Sequence, residues 1–120
     1  MQVAHVTGAI AADDSILGFK NKSVAIEVAY RLRQAGYAVI CVHENLVGSD
    51  VLNHQQWLKH DLAILERCDV CVVCDNWYDS KGSIEEIQFC LDRNIKLIRA
   101  SIKDKLLILT DFVFSRPTEV

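Results

Sequence analysis

The chain has 120 residues, 51% of them apolar and 24% charged, the balance of one folded globular domain rather than of a disordered or fibrous chain. A formal net charge of −3 excludes electrostatic attraction to a nucleic-acid polymer or an anionic membrane. It leaves room for a small phosphorylated ligand, which backbone amides can hold without a basic surface.

Short apolar runs at residues 3–7, 38–42, 70–74 and 96–98 are β-branched and bounded by turn formers. Near-continuous apolarity predicts strands covered on both faces, as in a parallel sheet. Between them lie helical stripes. Val24, Val28, Leu32 and Ala35 form one that stops at Gly36; Trp57, Leu58, Leu62 and Leu65 form a second. Ile84, Ile87 and Leu91 form a third, opening after Gly82-Ser83 and closing near Asn94.

The order β-α-β-α-β-α-β with right-handed crossovers predicts a three-layer α/β/α, doubly wound domain, Rossmann-like or flavodoxin-like. Its sheet is four- to five-stranded and mainly parallel, and residues 1–120 are expected to be one domain. The segment from 101 to 120 is expected to pack on that domain or on a neighbouring subunit. Within it, the run from Leu106 to Leu109 fits a strand or a helical turn. The start lacks a basic leader, no segment could cross a bilayer, and the five cysteines are odd in number. A cytoplasmic protein with reduced thiols is the expectation.

Ligands of such sheets bind where the strands end and the connections diverge. Three segments should meet there: Thr7-Gly8-Ala9, the loop of residues 43–50, and residues 75–83. The last is the richest. Ser80, Gly82 and Ser83 stand before or at a helix start, where unpaired amides hold anions, and Trp77 and Tyr78 offer flat faces for a base or sugar. Glu86 follows within reach. The spacing Ser83-x-x-Glu86 fits a capping box equally well.

Asp61 lies four residues from both Trp57 and Leu65, on the helix edge that faces the protein. A carboxylate there either handles chemistry or bonds a nearby amide at the border of the core. Cys68-x-x-Cys71-x-x-Cys74 looks like a metal motif, but a strand would send Cys71 and Cys74 to opposite faces, so buried apolar thiols are predicted. His54 and His60 are wrongly spaced for helical chelation, and Asp13-Asp14 reads as a solvated pair. His5 lies near the carboxyl end of the first strand and could reach the pocket. No metal or organic cofactor is required.

Taken together, Trp77-x-x-Ser80-x-Gly82-Ser83-x-x-Glu86 resembles the signature of the nucleoside 2-deoxyribosyltransferase-like superfamily, in particular a small branch reading W-x-x-S-x-G-[AS]-x-x-E. Val6-Thr7-Gly8, the helix ending Arg33-Gln34-Ala35-Gly36-Tyr37 and the run from Asp61 to Asp69 agree with it, and the likeness spans roughly residues 3–98. The resemblance implies that Glu86 is a nucleophile toward an anomeric carbon and that Asp61 handles the leaving base. It also implies that Ser80 helps hold a 5′-phosphate. Thr7, Gly8, His5 and Trp77 would line the sugar and base pocket, with Ser80, Gly82 and Ser83 as the phosphate cradle.

A small-molecule nucleoside or nucleotide is thus the expected partner, in a homodimer or larger homo-oligomer to which Ser115 and Arg116 could contribute. His5 stands where the family has tyrosine, Ala9 where it has proline and Gln88 where it has glycine; Glu85 adds a charge beside Glu86. His5, Ala9 and Gln88 favour a second expectation: a module that binds a nucleotide or an ADP-ribose-like signal without cleaving it.

Overall fold

The computed structural model describes residues 1–9, 15–42 and 52–114. The predicted loop at 43–50, the Asp13-Asp14 pair, Ser115 and Arg116 lie outside the described residues. Five strands, β1 (Val3–Thr7), β2 (Ala38–Cys41), β3 (Val70–Cys74), β4 (Lys96–Lys103) and β5 (Leu106–Asp111), form one sheet in the order β2-β1-β3-β4-β5. All neighbours are parallel except β4 and β5, an antiparallel hairpin. Three helices connect them: α1 (Ser15–Gln34), α2 (His54–Leu65) and α3 (Lys81–Arg93). The expected three-layer, mainly parallel architecture is therefore present.

Alternation along the strands divides the core in two. Ala4, Val6, Val70, Val72 and Cys74 meet Ala25, Val28, Ala29 and Leu32 of α1 on one face. Cys71 and Val73 meet Leu65 of α2 and Ile87 and Cys90 of α3 on the other. The predicted separation of Cys71 from Cys74 is what the strand imposes, and all five cysteines are buried and outside any disulfide. Burial pushes the Cys74 thiol up to about 12.

Local chemistry sets the ends of the elements. α1 stops where Tyr37 N–H reaches Leu32 C=O at 3.1 Å and Gly36 N–H reaches Arg33 C=O at 3.1 Å, with Gly36 at φ 97°. Only glycine takes that left-handed turn without strain. α2 begins with a reciprocal cap: Gln56 N–H donates to Asn53 Oδ1 and Asn53 N–H to Gln56 Oε1, each at 2.9 Å. The β4–β5 turn uses Asp104 and Lys105, both at positive φ (52° and 64°), the pairing of a two-residue hairpin loop.

Beyond β4 the chain turns back on its own domain. The ambiguous run at 106–109 is part of strand β5, and the predicted fourth strand at 96–98 extends to Lys103. Phe112 and Phe114 then cover Trp77, with ring centroids 5.2 and 5.5 Å away. Among the described residues no helix is long and apolar enough to cross a membrane.

Candidate active site

In the order β2-β1-β3-β4, the connections after β1 and β3 leave in opposite directions, and the carboxyl ends of these two strands are where sheets of this kind form a ligand crevice. Two close approaches build its floor. A Cβ on Gly8 would stand 2.9 Å from both Cys74 Cβ and Asn76 Oδ1, so only glycine lets the chain leaving β1 press against the end of β3. Asn76 Oδ1 accepts from Ala9 N–H at 3.1 Å, and its Nδ2 donates to Asn21 Oδ1 at 3.2 Å. One side chain thereby ties the β1 exit to α1.

The side chains of β1 opposite to Ala4 and Val6 are His5 and Thr7, and both are buried against α3. Thr7 Oγ1 donates to Ser83 Oγ at 2.9 Å, and His5 Nδ1 lies 3.6 Å from Glu86 Oε2. Ser83, Glu86, Ile87 and Cys90 recur at three- and four-residue spacing and form the inward stripe of α3. A glutamate therefore occupies a position on which a helix normally places an apolar residue.

That burial has an electrostatic consequence. Glu86 is 7% exposed, and its carboxyl is pushed up to about 8 by loss of solvent first and then by the negative charge of Asp61. The Thr7 hydroxyl opposes the shift. Since hydroxyls rotate, Ser83 can turn to donate to Thr7 and release the Thr7 proton toward Glu86. Asp61, with a side chain 13% exposed, is itself raised by burial, against the pull of His60, whose Nδ1 lies 3.6 Å away. Among the described residues neither Asp61 Oδ1 nor Glu86 Oε2 has a hydrogen-bond partner. Two carboxyl groups with raised affinity for protons thus act on each other at the crevice.

Several expectations change here. The capping box on Ser83 and Glu86 is not formed: α3 starts earlier, its cap is Ser80, and Ser80 Oγ accepts from Ser83 N–H at 3.1 Å. Gly82 and Ser83 accordingly lie inside the first turn, and Glu86 sits in the second rather than the first. With Ser83 N–H satisfied, the amides of Lys81 and Gly82 are the ones left without an intrahelical acceptor. Among the described residues a Cβ on Gly82 would meet nothing nearer than His54 Cε1 and Ser80 Oγ, both at 3.9 Å, so their packing does not require the glycine.

Trp77 is not the flat platform expected. At 4% exposure it belongs to the α2/α3 core, beneath Phe112 and Phe114. His5, fully buried, faces Glu86 and has no surface left for a ligand. The second charge acting on Glu86 comes from Asp61, while Glu85 turns to a groove of ≈ 600 Å³ between α2 and α3. That groove lies on the outer side of the helices, and Glu86 is not among its lining residues. Gln88 is exposed and donates to Asp92 at 3.1 Å, so its bulk stands away from the crevice.

Sequence reasoning missed the Asn21–Asn76 bridge and the clamp in which Asp75 Oδ1 accepts from Arg99 Nε (2.8 Å) and Ser101 Oγ (2.9 Å). A polar, weakly helix-forming Asn21 within a helix was the available signal for the first. Among the described residues no three His, Cys, Asp or Glu side chains are grouped to hold a metal ion.

A three-layer α/β domain with an acid pair at its topological switch point is the class that fold and site define. The chain belongs to the family described as "Domain of unknown function (DUF4406)", whose sequence model matches residues 8–99. That span contains Asp61, Ser80, Gly82, Ser83 and Glu86 and leaves out His5, Thr7 and the β5 strand. No curated protein was found to match.

Proposed function

We propose that the chain cleaves or transfers the N-glycosidic bond of a nucleoside or nucleoside 5′-monophosphate, with Glu86 as nucleophile. The observation that carries this reading is the placement of Glu86 on the inward face of α3, desolvated, beside a second carboxyl and facing His5 of β1. The resemblance of the segment from Trp77 to Glu86 to the nucleoside 2-deoxyribosyltransferase-like superfamily supports it from the sequence side.

In the first step an oxygen of ionised Glu86 bonds to the anomeric carbon. The carbon–nitrogen bond breaks, and its electron pair leaves with the base, which takes a proton from Asp61. In the second step water or another base attacks the same carbon and gives its proton to Asp61, and Glu86 is freed. Carboxylate attack divides one hard displacement into two easier ones. Burial raises the proton affinity of Asp61, which favours the protonated form that gives the base its proton. The chemistry calls on no metal or organic cofactor. Ser80 and the amides of Lys81 and Gly82 are the groups proposed for a 5′-phosphate. A homo-oligomer and a cytoplasmic setting belong to the same reading.

Glu86 must be ionised while Asp61 keeps a proton, so turnover should pass through an optimum. It should fall at lower pH as Glu86 is protonated and at higher pH as the pair loses its last proton. His5 Nδ1, at 3.6 Å, is placed to receive the Glu86 proton. The same raised carboxyl favours a second reading. A Glu86 that stays protonated at neutral pH is a poor nucleophile and a good hydrogen-bond donor, which suits a module that holds a nucleotide uncleaved.

One assay separates them: release of free base from a panel of ribo- and deoxyribonucleoside 5′-monophosphates, with Glu86→Ala in parallel. Release that falls about 10³-fold or more in the variant establishes the nucleophile. No release, even with a second base as acceptor, together with thermal stabilisation by a member of the panel, replaces the enzyme with the binder.

A further inference from the structure

Helix α1 is apolar on the side that faces solvent as well as on the side that faces the sheet. Its inward stripe is Ala25, Val28, Ala29 and Leu32, yet Phe19 stands 71% and Tyr30 57% exposed on the opposite side. The other two helices are unlike it: among the described residues, Leu91 is the one large apolar residue exposed on α3, and none is exposed on α2. An apolar outer stripe on a single helix marks a surface that another molecule covers.

The arrangement along that stripe says what the other molecule is. Phe19, Ser23, Ile26 and Tyr30 follow one another at three- and four-residue steps, and Lys20 and Glu27 run along one flank of the same stripe. Phe19 and Ile26 straddle Ser23, and so do Lys20 and Glu27. In an antiparallel pair of α1 helices related by a two-fold axis at Ser23, each contact is repeated by symmetry. Phe19 then meets Ile26 of the second copy, Lys20 meets Glu27, and the small Ser23 stands at the crossing, where the helices come nearest. Glu27 is already held at 3.3 Å by Arg31, which extends its carboxylate along the flank. Few sequences of random order pair apolar with apolar and cation with anion when reversed upon themselves.

We propose that the outer face of α1 is a self-association surface, through which two copies of the chain pack as an antiparallel helix pair centred on Ser23. The proposal gives a surface to the homo-oligomer that the proposed function includes, and it stands apart from the Glu86 chemistry, because α1 covers the other face of the sheet.

Sedimentation of the full chain over a range of concentrations provides the test, and circular dichroism verifies that each surface variant is folded. The wild type should form dimers. Lys20→Glu and Glu27→Lys should each weaken them about tenfold or more, because each places like charges opposite each other twice. An equal mixture of the two variants should recover dimerisation, since every contact in the mixed pair again joins opposite charges. Phe19→Asp should give monomers. A wild type that stays monomeric at its highest soluble concentration overturns the proposal. So does a dimer indifferent to these substitutions, or a mixture no stronger than its components, since either would place the interface elsewhere or in another register.

Discussion

On the α1 side of the sheet, β1 presents Ala4 and Val6 to Ala25, Val28, Ala29 and Leu32, and the polar groups buried there among the described residues are the amide of Asn21 and the thiols of Cys41 and Cys74. On the α2/α3 side the same strand presents His5 and Thr7 to Ser83 and Glu86, with Asp61 close by. One five-residue strand thus serves a face built to be dry and a face that encloses ionisable groups. A buried carboxyl without full partners costs free energy, and its retention marks the face where function resides. The apolar face supplies the stability that offsets that cost.

If that contrast is real, relieving the polar face should stabilise the protein in a pH-dependent way. Glu86 binds its proton more tightly folded (about 8) than unfolded (4.5). Its contribution to stability is therefore complete below about 4.5 and is lost as pH rises through about 8. Glu86→Gln removes that loss. The variant should match the wild type near pH 4 and exceed it above pH 8, by at most about 5 kcal/mol at 1.36 kcal/mol per pKa unit. Urea unfolding at two pH values measures this, and an equal difference at both would mean that Glu86 is not the titrating group.

The dry face should behave in the opposite sense. Leu32 is fully buried under α1, and Leu32→Ala should cost about 3 kcal/mol, with no dependence on pH between 5 and 9. A loss below about 1 kcal/mol in the same unfolding experiment would show that this face collapses around the cavity and is not the rigid half of the molecule.

The contrast between the faces also explains which parts were legible. β1 and β3 are covered on both sides, so their side chains read as near-continuous apolar runs, and the predicted spans coincide with the observed ones. β4 was cut short because beyond Ile98 it alternates with Arg99, Ser101 and Lys103 toward the edge of the sheet. β5 stayed ambiguous because Leu106 to Leu109 shows no alternation and its turn, Asp104-Lys105, lacks the glycine that signals a hairpin.

At the site, the type of each residue was readable and its partner was not. Ser80 and Ser83 are both acceptable caps locally. Thr7, 76 residues away in the chain from Ser83, engages the second hydroxyl, and Ser80 is left to cap the helix. Trp77 was read as a ligand platform because nothing in its neighbourhood reveals that Phe112 and Phe114 fold back over it. Asp61 was placed on the correct side of its helix, yet its effect on Glu86 depends on how α2 and α3 lie together.

The crevice between the faces gives the next test. Gly8→Ala would drive a Cβ to 2.9 Å from Cys74 Cβ and Asn76 Oδ1, neither of them the free end of a long side chain. A loss of about 1–3 kcal/mol is expected from that overpacking. The clash also pushes on the Asn76 bridge to Ala9 and Asn21, so a ligand should bind more weakly even where the variant remains folded. A variant with unchanged thermal stability and unchanged affinity would show that the β1 exit is soft and that Asn76 does not hold it.

Gly82→Ala should have the smallest effect, and one of opposite sign for stability and function. The residue lies in the first turn of α3, its added Cβ would meet nothing nearer than 3.9 Å, and alanine is the better helix former. The folded state should gain about 0.5–1 kcal/mol. Nothing among the described residues needs the glycine, which fits a ligand that approaches the helix backbone here. A methyl group at this position should weaken binding of the 5′-monophosphate and leave the corresponding nucleoside less affected. A stabilised variant with unaltered preference for the monophosphate would move the phosphate away from this turn while leaving Glu86 in place as nucleophile. A loss shared equally by nucleotide and nucleoside would place the sugar, rather than the phosphate, over Gly82.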